Sequence, residues 1–192
     1  MDITITDIRK YSNINNQRPF FLDTNVLYWY FYSRFDPKDT NKAKPYYDFV
    51  DVLVADGNPL YTSVFNVSEL LHIIENNEYK IYKVTNPDSY YTQKDFRKDS
   101  SERKIVSAYI QTAFNSVSST CQILEYDFKK TYMDEYVKDF FNHRFDPFDY
   151  AFLKNCIDKK HLDIVTDDGD FDSINIKGLH IYTANPKMLP SS

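Results

Sequence analysis

The sequence predicts an α/β protein in which a central parallel sheet of four to five strands is flanked by helices in three layers. Two observations carry that expectation. Short apolar runs of strand length alternate with longer stretches of helical period, which is the repeating unit of a parallel sheet. The run Phe20-Phe21-Leu22 is bulky throughout and stops abruptly on Asp23-Thr24-Asn25, as a strand buried on both faces does. Its last residue then falls where an open parallel sheet binds ligands, beyond the carboxyl ends of its strands.

Residues 1–19 read as a polar, Asn-rich extension in which Ile3-Thr4-Ile5-Thr6 is either an edge strand or a tail. Residues 20–192 read as a single domain, a length that buries a substantial core. After the first strand, the apolar stretch from Val26 to Phe35 predicts a helix, and Asp36-Pro37 a turn. Tyr46, Phe49, Val50, Leu53 and Val54 recur at helical spacing within a helix expected over 42–55, and Gly57 lies just past its end. Pro59 to Thr62 predicts the second strand and Ser63 to Asn77 the helix after it, with Val67, Leu70, Leu71 and Ile74 on one face.

Residues 79–104 look like an expanded connecting segment: Tyr79 to Val84 suits strand or helix end, Asn86-Pro87-Asp88 is a turn, and charge dominates from Gln93. A long helix to about Ser118 and a third strand, Cys121 to Tyr126, follow. Met133 to Phe141 predicts a short helix, and Asp146-Pro147 opens another through Ile157. The strands Leu162–Thr166 and Leu179–Tyr182, separated by an acidic turn, close the chain.

Composition bounds the chemistry. The formal charge of −5 argues against a protein that coats nucleic acid by bulk electrostatics, although carboxylates that hold a metal also count as negative in that sum. Tyr (17) and Phe (15) are abundant and read as core material rather than a binding surface. Cys121 and Cys156 are isolated, which fits a reducing cytoplasm and no disulfide framework. Neither a secretory leader nor a run long enough to span a membrane is evident. With only Gly57, Gly169 and Gly178, no glycine-rich phosphate loop can be built, and His72, His143, His161 and His180 form no H-E-x-x-H. Catalysis therefore falls to carboxylates.

Asp23, Glu69, Asp146 or Asp149, and the cluster Asp167-Asp168-Gly169-Asp170 each lie at a strand end or helix start. Oxygen-only ligands in such a group suit Mg²⁺ or Mn²⁺ and read as a metal-dependent phosphodiester site. Each acid also has a structural explanation. Glu69 follows Asn66 at capping-box spacing, Asp146 precedes Pro147 as a helix cap with Asp149 in the first turn, and Asp168-Gly169 is a common turn pair.

Order and context together resemble the PIN domain, a nuclease family seen most often in VapC-type toxins. The matching residues are Asp23-Thr24-Asn25 in the frame Phe-Phe-Leu-Asp-Thr-Asn-Val-Leu, and Ser63 to Leu70 in the form Ser-x-x-x-x-x-Glu-Leu. Asp149-Tyr150-Ala151-Phe152-Leu153 and Thr166-Asp167-Asp168-Gly169-Asp170-Phe171 complete the pattern, which spans about residues 19–186. The resemblance implies Asp23, Glu69, Asp149 and Asp168 as catalytic and metal-site acids, Asp170 as an auxiliary, and Asn25 and Thr166 as supports. It implies cleavage of single-stranded RNA with Mg²⁺ or Mn²⁺, an antitoxin partner, and a homodimer.

Arg144, Lys94, Arg97 and Lys98 are the candidates for holding the polyanion, with an ordinary solvated face as the alternative because Asp95, Asp99 and Glu102 are interleaved. Tyr28 and Trp29 suit either base stacking or the core. A catalytically silent RNA-binding or scaffold module, and a nuclease directed at DNA or branched structures, are the rival readings. The chain departs from the family pattern in the residues ahead of the first strand, in 79–104, and in Tyr150, Phe152 and Lys154 where alanines are usual.

Overall fold

A computed structural model describes residues 3–11, 18–89, 91–161, 163–173 and 176–189. The first expected strand is β2 (Phe20–Leu22), and all three of its side chains are buried, as a strand covered on both faces requires. Alternate residues serve opposite faces. Phe20 and Leu22 join one hydrophobic cluster and Phe21 the other, just as Val165 and Ile164, or Tyr182 and Ile181, divide between them.

The six described strands form one parallel sheet, in the order β1, β6, β5, β2, β3, β4. They are β1 (Thr4–Asp7), β2, β3 (Leu60–Ser63), β4 (Gln122–Leu124), β5 (Asp163–Val165) and β6 (His180–Thr183). Four or five were expected; the extra one is β1, where the extension adds an edge strand to β6 in the register Thr4 to His180. The start of the fourth expected strand, Leu162, and residues 1–2 and 12–17 of the extension lie outside the described residues.

Helices cover both faces. One hydrophobic cluster draws on α1 (Thr24–Phe31), α2 (Thr40–Ala55), α3 (Val64–Thr85) and α5 (Ser100–Thr120). The other draws on α7 (Pro147–Lys159), against which α6 (Lys130–Asp139) packs. The result is the three-layer α/β/α arrangement that the sequence predicts. Gly57, at φ +71°, ends α2 in a left-handed turn that a Cβ would strain. No helix among the described residues is long and apolar enough to cross a membrane.

Residues 79–104 resolve an ambiguity in the sequence. Tyr79 to Val84 is the helix end of the two alternatives, the last turns of α3, which runs eight residues beyond the expected stop at Asn77. Tyr79 and Tyr82, three apart on one helix face, both pack on Phe96 of α4 (Gln93–Lys98). That contact, together with the capping box of Thr92 and Asp95, seats α4 against the far half of α3.

Strand order opens a crevice. From β2 the chain moves outward through β3 and β4, then returns to build β5 and β6 on the opposite side. The boundary between β2 and β5 is thus a topological switch point, where the connections diverge and leave a gap at the carboxyl ends of the strands.

Candidate active site

Strand β2 runs into α1 with no loop between them. The Asp23 amide closes the sheet ladder on Val165 O at 3.1 Å, and the Asp23 carboxylate accepts the Thr24 N–H at 2.7 Å as the helix cap. The same carboxylate accepts from the Thr166 hydroxyl at 2.6 Å, from the Asn66 amide at 3.0 Å and from the Asn25 amide at 3.1 Å. Burial pushes Asp23 up to about 6, the Thr166 and Thr24 hydrogen bonds oppose that, and the charges of Glu69 and Asp168 add to it.

Four more acids face the same space, among them Asp39, which immediately precedes α2. Asp23, Glu69, Asp149 and Asp168 all line one cavity of about 300 Å³ at the switch point. Glu69 stands on α3 and accepts the Thr24 hydroxyl at 2.6 Å. Asp168 follows β5; its carboxylate accepts the Asp170 N–H at 2.9 Å, and burial raises its pKa. Asp149 sits in the first turn of α7, whose cap is Asp146, bonded to the amides of Phe148 and Asp149 at 2.8 and 2.9 Å. No described donor reaches the Asp149 carboxylate. Burial first, and then the charges of Asp23, Asp146, Asp168 and Glu69, push it up to about 8.

Such a group of oxygen donors, crowded and mutually repelling, matches a hard divalent cation in donor type and in charge. As placed, the acids do not close on one point: among the described residues no group of three or more His, Cys, Asp or Glu is arranged to hold an ion. The fit is one of donor chemistry and shared cavity.

Asn25 and Thr166 bridge the acids to the frame. Besides holding Asp23, Thr166 Oγ1 accepts the Asp168 N–H at 2.9 Å, and Asn25 Oδ1 accepts the Asp167 N–H at 3.2 Å. Asp170 lies outside the cavity lining, with an oxygen 3.6 Å from Nε of Arg144. Asp167 is buried and turned to the Tyr46 hydroxyl at 2.8 Å and to Lys42. Of the three acids after β5, only Asp168 therefore lines the cavity.

Two contributors escaped the sequence reading. Asn66, paired there with Glu69 as a capping box, is instead the third residue of α3, and the cap is Ser63, which accepts the Asn66 N–H at 3.2 Å. Glu69 caps nothing and points its carboxylate at the cleft. Asn66 spends its side-chain amide on Asp23 and on the Thr24 hydroxyl at 3.1 Å. Thr24, the other contributor, links Asn66 to Glu69. Only the Ser63 to Asn66 spacing at the end of a strand could have signalled either.

The cationic candidates divide. Arg144 lies against the acidic turn after β5, donating to Gly169 O at 3.0 Å, and its charge opposes the rise that burial gives the pKa of Asp168. Lys94, Arg97 and Lys98 stand on α4, away from the cavity lining, and Arg97 and Arg103 both pair with Glu75, at 2.8 and 2.6 Å. Trp29 is buried beneath the cleft with Lys42 5.3 Å from its ring centroid, and Tyr28 stacks on Tyr32. Both rings are core residues that reach the cavity wall.

Fold and cleft together define an α/β protein with an acid-lined crevice at the carboxyl ends of a parallel sheet. A chain in the crystal structure of VapBC2 from Rickettsia felis, bound to a DNA fragment from the promoter, has a similar fold, with a TM-score of 0.50 over 86% of this chain and 98% of that one. Identity is 14%, so the likeness is one of fold alone. No family model and no curated protein matches the sequence.

Proposed function

We propose that this chain is a metal-dependent endoribonuclease that hydrolyses phosphodiester bonds in single-stranded RNA. The observation that carries the reading is the gathering of Asp23, Glu69, Asp149 and Asp168 around one cavity at the switch point. Those four acids would hold Mg²⁺ or Mn²⁺, which when bound supplies charge neutralisation and lowers the pKa of water. Asp23 is the anchored member, oriented by Thr166, Asn66 and Asn25. Asp149, with no described donor and a pKa pushed up to about 8 in the metal-free chain, would give up its proton on binding the ion, so metal affinity should rise with pH. The fold shared with a VapBC2 chain supports a toxin role with an antitoxin covering the cleft.

The spread of the acids, with no three placed to hold an ion, favours the rival reading of a catalytically silent module. End-labelled single-stranded RNA, single-stranded DNA and flapped duplexes incubated with Mn²⁺, Mg²⁺ or EDTA separate these readings. We expect RNA cleavage that needs the metal and falls about 10²-fold or more in Asp149→Asn and Asp23→Asn, the scale on which losing a positioned electrostatic group costs rate. Equal turnover by wild type and both variants would sink the proposal, and preference for DNA or flaps would redirect it.

A further inference from the structure

Beside the acid cleft lies a second cavity of about 280 Å³ whose walls are aromatic. Phe65 and His72 approach it from α3, Phe148 and Phe152 from α7, and it shares Glu69 and Asp149 with the first cavity. Phe152 belongs to the hydrophobic core, but Phe148 is 62% exposed. Its ring lies 5.2 Å from that of Phe128, which is 46% exposed and meets Phe65 edge-on at 6.1 Å. Phe65, Phe148 and Phe152 thus line the opening; Phe65 and Phe152 pack on the core, whereas the exposed ring of Phe148, with Phe128 against it, is not accounted for by burial within the fold.

We propose that this cavity receives one unpaired nucleobase of the polynucleotide whose phosphate lies at the acids. The assignment deepens the nuclease reading and rests on it for the identity of the ligand. A base offers a flat π face to stack on phenylalanine, and a base held in a duplex could not enter. With Glu69 and Asp149 turned to the ion that the nuclease reading places in the first cavity, Asp146 remains as an acceptor at this one, which suits a neutral ring carrying N–H donors better than a second phosphate. Ser68 and His72, both exposed, add a hydroxyl and an imidazole for its edge. Because two acids are common to both cavities, a strand bound at the first has its adjoining base at the second. The aromatic wall then sets which base flanks the scissile bond.

The test uses the full chain and RNA oligomers in which a single base at successive positions is 2-aminopurine, whose fluorescence is quenched by stacking. At one position wild type quenches the probe, and Phe148→Ala does not. In cleavage, Phe148→Ala raises KM about tenfold with kcat nearly unchanged, the size of one base–aromatic stack, and Phe148→Tyr restores wild-type KM. The exposed ring makes the alanine variant a safe one for folding, checked by its melting temperature. If wild type cleaves and Phe148→Ala matches it in KM and base preference, the cavity takes no base while the nuclease reading stands. That holds whether or not the variant loses a protein partner. If neither cleaves but wild type alone quenches, the nuclease reading falls and the base cavity stands. Quenching by neither protein overturns the cavity assignment.

Discussion

Asp23 and Asp149 face the same space in opposite electrical conditions. Thr24, Asn25, Asn66 and Thr166 surround the first with donors, whereas no described donor reaches the second. Unfolded Asp titrates near pH 3.9, and in the folded chain Asp149 is pushed up to about 8. Between those values the folded state keeps a proton that the unfolded state has released. Stability from this group is therefore greatest at low pH and declines as pH rises towards 8, with Asp23 adding in the same sense up to about 6. In EDTA we expect the melting temperature to fall from pH 5 to pH 8.5. Asp149→Asn should flatten that slope, and Mn²⁺ at pH 8 should reverse it by binding the folded chain. A second residue-scale prediction concerns His143. It is buried against Tyr136 and Tyr150, and among the described residues neither ring nitrogen has a partner. His143→Phe removes that unmet demand and should stabilise by about 1 kcal/mol, raising the melting temperature by roughly 2–4 °C.

Individual elements show why part of the site could be read in advance. Asp146-Pro147 announced α7 because cap and first residue are neighbours in sequence, and Asp23 closed an apolar run that needed no tertiary information. Asn66 could not be read this way. Its role is to reach across to another strand end, and its spacing to Glu69 imitated a cap that in fact lies one turn earlier at Ser63. The same limit applied to α3, whose last turns depend on Phe96 of a later helix. Asn66→Ala strips donors from both Asp23 and Thr24. It should cost about 1–3 kcal/mol, seen as a lower melting temperature, and it should also slow RNA cleavage because Asp23 loses its orientation.

At the scale of the whole molecule, alternation of strand and helix was enough to specify a parallel three-layer fold. Strand order was not legible, since periodicity says which face a residue takes and nothing about which strand is its neighbour. The edge is the clearest case. Strand β1 covers β6 over Thr4 to Asp7, with the Thr6 hydroxyl and His180 Nε2 2.7 Å apart. Deleting residues 1–11 would uncover β6 and remove the buried Ile8. The truncated chain should melt lower and self-associate, as light scattering would register, because a bare sheet edge templates pairing.

The pairing of β2 with β5 joins residue 22 to residue 165, and Asp23 takes a hydrogen bond from Thr166. Among the described residues, the contacts that bring β6 to β1 and β2 span a greater sequence distance still. A ribosome making this chain therefore releases the first acid long before Asp149 and Asp168 exist, and a nascent chain holds no complete cleft until β5 has emerged. Any chemistry that the gathered acids perform therefore waits until β5 and the turn after it have been made.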